Sequence, residues 1–135
     1  MENLYNFCVI DDDRVYQFTI TKAIEVNNLA KEVLIFSDGE EALDFFIRNL
    51  DNDANLPDIV LLDINMPIMD GFQFMEEYIK IKPRVGKKIY IYMVSSSVDS
   101  DDIKKAKNIS EISDYIIKPV KPGELVSIVN SLKTT

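Results

Sequence analysis

Histidine is absent from this 135-residue chain. That excludes histidine-based triads, histidine general bases, imidazole metal ligands and a phosphohistidine carried by the chain itself. Cysteine is nearly absent: Cys8 stands alone inside an apolar run. One cysteine makes neither an internal disulfide nor a CxxC site, so an intracellular, cytoplasmic setting is expected. Positive charge is short, with 15 Lys plus Arg against 23 Asp plus Glu and a net charge of −8. An acidic domain repels phosphate backbones, so no nucleic acid and no anionic membrane is expected as a direct partner. The N-terminal stretch MENLYNFCVIDDD has no basic region and no long apolar segment, so it does not read as a signal peptide. No apolar run reaches the length of a membrane span.

What is present is ordinary globular composition, 47% apolar and 28% charged. At about 150 residues per domain, residues 1–135 predict one domain. A chain of this size buries enough surface to fold without a disulfide or a structural metal. Short apolar runs at 5–10, 33–36, 59–62, 89–94 and 115–117 alternate with amphipathic stretches at 14–28, 40–50, 72–81, 99–108 and 124–132. The first amphipathic stretch reads with Val15, Phe18, Ile24 and Leu29 on its apolar side. The apolar stripes and the methionines are expected in the core. Residues 51–57 (DNDANLP) are polar and breaker-rich, which predicts a loop. The runs are apolar without alternation, as in strands covered on both faces. Strands alternating with helices imply an α/β fold with a parallel sheet and right-handed crossovers. Sites in such sheets form beyond the carboxyl ends of the strands.

Those ends carry a chemical set. The first run stops at Asp11 and Asp12, the third at Asp63, the fourth at Ser95 and the fifth at Lys118. Each residue alone has a plain structural use as a helix cap, a turn former or a solvated charge. Together they place three carboxylates, a hydroxyl and an ammonium on one rim. Crowded carboxylates repel and raise a pKa unless a cation compensates. Magnesium suits an all-oxygen set, and the missing sulfur and imidazole ligands argue against zinc or copper. Lysine and serine would contact phosphate oxygens, with Asp63 as a carboxylate nucleophile toward a phosphoryl group.

At this point the residues resemble a family, the receiver domain of bacterial two-component response regulators. The matching stretches are VIDDD at 9–13, DIVLLDINMPIMDG at 58–71, YMVSSS at 92–97 and DYIIKP at 114–119. The resemblance runs from about residue 6 to residue 132. It implies a doubly wound, flavodoxin-like five-stranded parallel sheet of order 2-1-3-4-5 with five helices on both faces. It implies Asp63 as phosphoacceptor and Mg2+ as cofactor, held by Asp11, Asp12, Asp63 and the backbone carbonyl of Asn65. Asp12 would ligate directly and Asp11 mainly through water. Ser95 and Lys118 would contact the phosphoryl group, and Ser95 and Tyr115 would form the switch. The Lys118–Pro119 bond is expected to be cis. Ser97 takes a position that tunes phosphoryl lifetime.

The implied partners are a sensor histidine kinase or a histidine phosphotransfer protein, and a protein target on the face of the fourth helix, fifth strand and fifth helix. A homodimer is also compatible with that face. Only three residues follow the last amphipathic stretch, so output through protein contact or phosphorelay is expected in place of an attached DNA-binding domain. The chain departs from the family pattern in two places: KNISEISD lacks the Gly-Ala that often precedes the fifth strand, and RNLDNDANLPD is longer than in the shortest receivers. The longer segment is expected to be a solvated loop.

Three rival functions remain. A magnesium-dependent phosphatase with an aspartyl nucleophile usually has a second acid two residues on, where this chain has Asn65. A flavin module would set an anionic cofactor against acidic strand ends. A docking pseudo-receiver would not need the intact set of Asp11, Asp12, Asp63, Ser95 and Lys118. The expected protein is therefore a phosphoacceptor regulator and not an enzyme.

Overall fold

The apolar runs become strands and the amphipathic stretches become helices in a computed structural model that describes residues 4–133. Met1–Asn3 and the last two threonines lie outside the described residues, so the reading of the extreme N-terminus and the outer limits of the 1–135 domain fall partly there. The order is β1 (Tyr5–Ile10), α1 (Arg14–Val26), β2 (Ala30–Phe36), α2 (Gly39–Arg48), β3 (Ile59–Leu62), α3 (Gly71–Ile81), β4 (Tyr90–Ser95), α4 (Ser100–Lys107), β5 (Ile112–Ile117) and α5 (Pro122–Lys133). All pairings are parallel and the strand order is β2-β1-β3-β4-β5. This is the flavodoxin-like, doubly wound α/β fold expected from the sequence. Among the described residues no helix is long and apolar enough to cross a membrane.

β3 shows why the runs do not alternate. All four of its residues are buried. Val60 and Leu62 face one core with Phe46, Phe74, Met75 and Tyr78. Ile59 and Leu61 face a second core with Ile20, Ile24, Leu125 and Val129. A strand with helices on both sides needs apolar residues at every position.

Four aspartates shape the helix starts. Asp13 caps α1 by accepting the Val15 and Tyr16 N–H groups, and Asp38 caps α2 through the Glu41 N–H. Asp70 caps α3 in a reciprocal box with Gln73, and Asp99 caps α4. Each satisfies donors that the first helical turn leaves without partners.

Three sequence expectations need correction. The apolar side of α1 is Ile20 and Ile24, while Val15 and Phe18 are 76% and 67% exposed. Phe18 and Ile24 are about one and two-thirds turns apart and so point to different sides of the helix. Ile47, an apolar residue of the 40–50 stretch, is likewise exposed. The 48–58 segment is more than a solvated loop: it holds a 3-10 turn at Asp53–Asn55 and a fully buried Leu56. Lys87 fixes it by donating to the Leu56 carbonyl oxygen at 3.1 Å. β5 begins three residues earlier than its apolar run, since its register shifts against β4 between Ile91 and Tyr92. That shift occupies the place where the Gly-Ala pair is missing.

Candidate functional site

The register carries the strand-end residues to one rim. Ile10 pairs with Leu62, so the residues that follow, Asp11 and Asp63, are neighbours. The Asp63 N–H donates to the Ile10 carbonyl oxygen at 2.9 Å. Ser95 pairs with Ile117, and the Lys118 N–H donates to the Ser95 carbonyl oxygen at 2.9 Å. The Lys118–Pro119 bond is cis, as expected from the sequence.

Carboxylate oxygens of Asp11, Asp12 and Asp63 lie within 4.8 Å of one another, with Asp12 exposed and the other two buried. Lys118 Nζ donates to Asp11 Oδ2 at 2.7 Å and stands 3.8 Å from Asp63 Oδ1. Three carboxylates face one ammonium, so negative charge is in excess by two. Asp63 records the consequence. Burial, then the Asp11 charge, push its carboxyl up to about 6, against the pull of Lys118 and the Ile64 N–H. Oxygen donors, convergence and uncompensated charge are the requirements of a hard divalent cation, and this donor set fits one.

Neighbouring groups keep the acids available. Because Asp13 caps α1, Asp11 and Asp12 are not consumed as caps. Asp11 Oδ1 accepts the Asp13 N–H at 2.9 Å, and Gln17 Nε2 donates to the Asp11 carbonyl oxygen. Asp63 Oδ1 accepts the Ile64 N–H at 2.9 Å. Gly71 is required by close approach: a Cβ there would collide with the Asp63 carbonyl oxygen. Ile68, in the same loop, has φ +68° and is 73% exposed. A β-branched residue in the left-handed region is strained. Asn65 is exposed, two residues beyond Asp63.

Ser95 is fully buried, and its Oγ accepts the Ser97 N–H at 3.1 Å. The Tyr115 hydroxyl donates to the Ser97 carbonyl oxygen at 2.9 Å. The main chain of one residue, Ser97, is thus held at its N–H from the pocket side by Ser95 and at its carbonyl from β5 by Tyr115. The Ser97 hydroxyl donates separately to Asp102 at 2.8 Å. Asp11, Asp12, Asp63, Asn65, Ser95 and Lys118 therefore lie at this rim or in the loop leading from it, and Tyr115, inside β5, meets the loop after Ser95 through its hydroxyl at the Ser97 carbonyl.

Sequence reasoning missed Tyr16. Lys118 Nζ lies over its ring, 4.3 Å from the centroid. A strict helical count places Tyr16 on the face of Ile20 and Ile24, which marks it as packing and not as part of a site. Cys8 is fully buried in the β1 interior, and burial pushes its thiol well above the usual range, so it adds no nucleophile.

Residues 7–130 match the response regulator receiver domain family. The chain belongs to that family. It is 26% identical over 132 residues to a probable methanogenesis regulatory protein FilR2 of Methanothrix harundinacea, covering 98% of this chain and 83% of that protein. It is 28% identical over 134 residues to a probable transcriptional regulator ycf27 of Guillardia theta, where it spans only 46% of the relative. Among solved structures, a two-component response regulator from Cytophaga hutchinsonii has the same fold at TM-score 0.87 and 24% identity, covering 98% of this chain and 100% of that one. A response regulator receiver protein from Dyadobacter fermentans superposes at TM-score 0.79 with 29% identity, covering 96% and 95%.

Proposed function

We propose that this chain is a phosphorylation-operated signalling switch and that Asp63 is its phosphoacceptor. The observation that carries the reading is the charge imbalance at the rim, three converging carboxylates against one lysine. In this reading Asp11, Asp12, Asp63 and the backbone carbonyl of Asn65 hold Mg2+. When bound, the ion neutralises the acids and the charge on the phosphoryl oxygens.

The remaining chemistry belongs to the chain. A carboxylate oxygen of Asp63 attacks phosphorus, and the P–N bond to the partner's histidine breaks. The electron pair leaves with the imidazole, and an acyl phosphate stands on Asp63. Lys118 exchanges its hold on Asp11 for a phosphoryl oxygen, as a mobile point charge can. The Ser95 hydroxyl donates to another phosphoryl oxygen. In turning, it releases the Ser97 N–H, which alters the grip of Tyr115 on the carbonyl of the same residue. The face of α4, β5 and α5 changes shape for a protein target. This is a local charge event biasing a two-state element.

Residues 1–135 would act as one receiver domain in the cytoplasm, served by a sensor histidine kinase or a histidine phosphotransfer protein. Asn65 stands where an aspartyl phosphatase would place its second acid, which favours a switch over an enzyme. The test is intact mass after incubation with acetyl phosphate, with and without magnesium. A magnesium-dependent gain of one phosphoryl group, lost in Asp63→Asn, is expected. No gain under any condition would move the assignment to a docking domain.

A further inference from the structure

Tyr16 lies in the first turn of α1, four residues after Asp12. Its ring face covers the Lys118 ammonium at 4.3 Å, the same ammonium that reaches Asp11 at 2.7 Å and Asp63 at 3.8 Å. The ring is therefore a wall of the acidic pocket, which desolvates the lysine and limits its rotation. The hydroxyl is the unusual part. It is shut off from water and has no hydrogen-bond partner among the described residues. A buried donor left unmade is costly, and native structures rarely carry one without a use.

Nothing in the packing of α1 requires that hydroxyl, since a phenyl ring would fill the same space. The electrostatic surroundings indicate which way it matters. Burial, then the charges of Asp11 and Asp63, hold the phenol in its neutral, proton-bearing form. It is thus a hydrogen-bond donor beside a site whose acceptors arrive with the ligand.

We infer that Tyr16 is a phosphoryl-binding residue of this receiver: its ring fixes Lys118, and its hydroxyl donates to an oxygen of the group seated on Asp63. The inference rests on the phosphoacceptor reading of Asp63. It adds a third donor to Ser95 and Lys118, supplied from α1.

The test uses beryllium trifluoride, a tetrahedral phosphoryl mimic, titrated into the chain with magnesium and followed by 19F NMR. Tyr16→Phe keeps the ring over Lys118 and removes only the donor. Its affinity for the mimic is expected to fall about tenfold, the effect of losing one hydrogen bond to a charged acceptor. Its melting temperature should stay level or rise, because a buried unpaired hydroxyl is gone. Magnesium titrated without the mimic should bind both proteins within about twofold of each other.

Equal affinity of Tyr16→Phe and the parent for the mimic overturns the inference. So does a matching loss in magnesium binding alone, which would assign the hydroxyl to the water shell of the ion. If the parent fails to bind the mimic, or Asp63→Asn binds it as well as the parent does, the phosphoacceptor reading itself falls. The two failures are therefore distinguishable.

Discussion

The two ends of the sheet each carry a Lys–Asp pair at 2.7 Å, Lys87 with Asp58 where β3 enters and Lys118 with Asp11 where the strands leave. At the entering end the accounts balance. One ammonium meets one carboxylate, and Asp58 also accepts the Asn6 N–H at 2.8 Å. Its own N–H donates to the Asn6 carbonyl oxygen and its carbonyl accepts the Tyr90 N–H, both at 2.8 Å. Asp58 thus ties β1, β3 and β4 together. At the leaving end one ammonium serves Asp11 and Asp63 while Asp12 adds a third negative charge. The same pair of residue types is a fastening where charge balances and, in the proposed function, a reaction site where it does not.

The largest expected effect separates the two ends by chemistry. Asp63→Asn should abolish phosphoryl gain in the mass assay, and Asp58→Ala should leave it intact. Equal loss in both would erase the distinction.

The second separates them by stability, with opposite signs. The Asp63 carboxyl is raised to about 6 in the folded chain from an ordinary 3.8. Above pH 6 it is ionised in both states, and burying the charge costs stability. As pH falls through 6, the folded form protonates first and the penalty is relieved; below about pH 4 both states are protonated. Without magnesium, Asp63→Asn should therefore be more stable than the parent at pH 8 by about 3 kcal/mol. That gain should vanish by pH 4 in urea unfolding, and a gain independent of pH would contradict the charge origin.

Asp58→Ala should lower stability by about 1–2 kcal/mol at neutral pH, since a partner-bearing but partly exposed pair contributes modestly. No loss would show that the entering end is held by its backbone bonds alone.

The smallest effect compares backbone strain. The entering end places Asn28 in the left-handed region at φ +52°, and the rim places Ile68 there at +68°. Asparagine tolerates that conformation and isoleucine does not. Ile68→Asn should raise stability by about 1 kcal/mol, whereas Asn28→Ile should lower it. Calorimetry of both variants would decide it.

The acidic rim was legible because each of its members abuts an apolar run. Asp11, Asp12, Asp63, Ser95 and Lys118 announce themselves wherever strand pattern stops. The fold followed from the alternation of the runs, but β5 was only half visible. Of its first residues, Ile112 and Asp114 pair with β4 and Ser113 is skipped at a register shift, which tertiary contacts impose and residue pattern does not. Leu56 sat hidden in a polar segment because its burial depends on Lys87 closing the loop from a distance. Tyr16 was missed for another reason. An aromatic on an amphipathic helix reads as packing, and only the ammonium beneath its ring shows otherwise.

The doubly held main chain of Ser97 has a consequence for how such a protein can diversify. Ser95 grips its N–H and Tyr115 its carbonyl, so the connection between pocket and outer face is made of main chain. Every residue except proline brings the same N–H and carbonyl to the position. Mutational drift at position 97 can therefore explore side chains, each with its own hold on α4, while the link that crosses it is inherited unchanged.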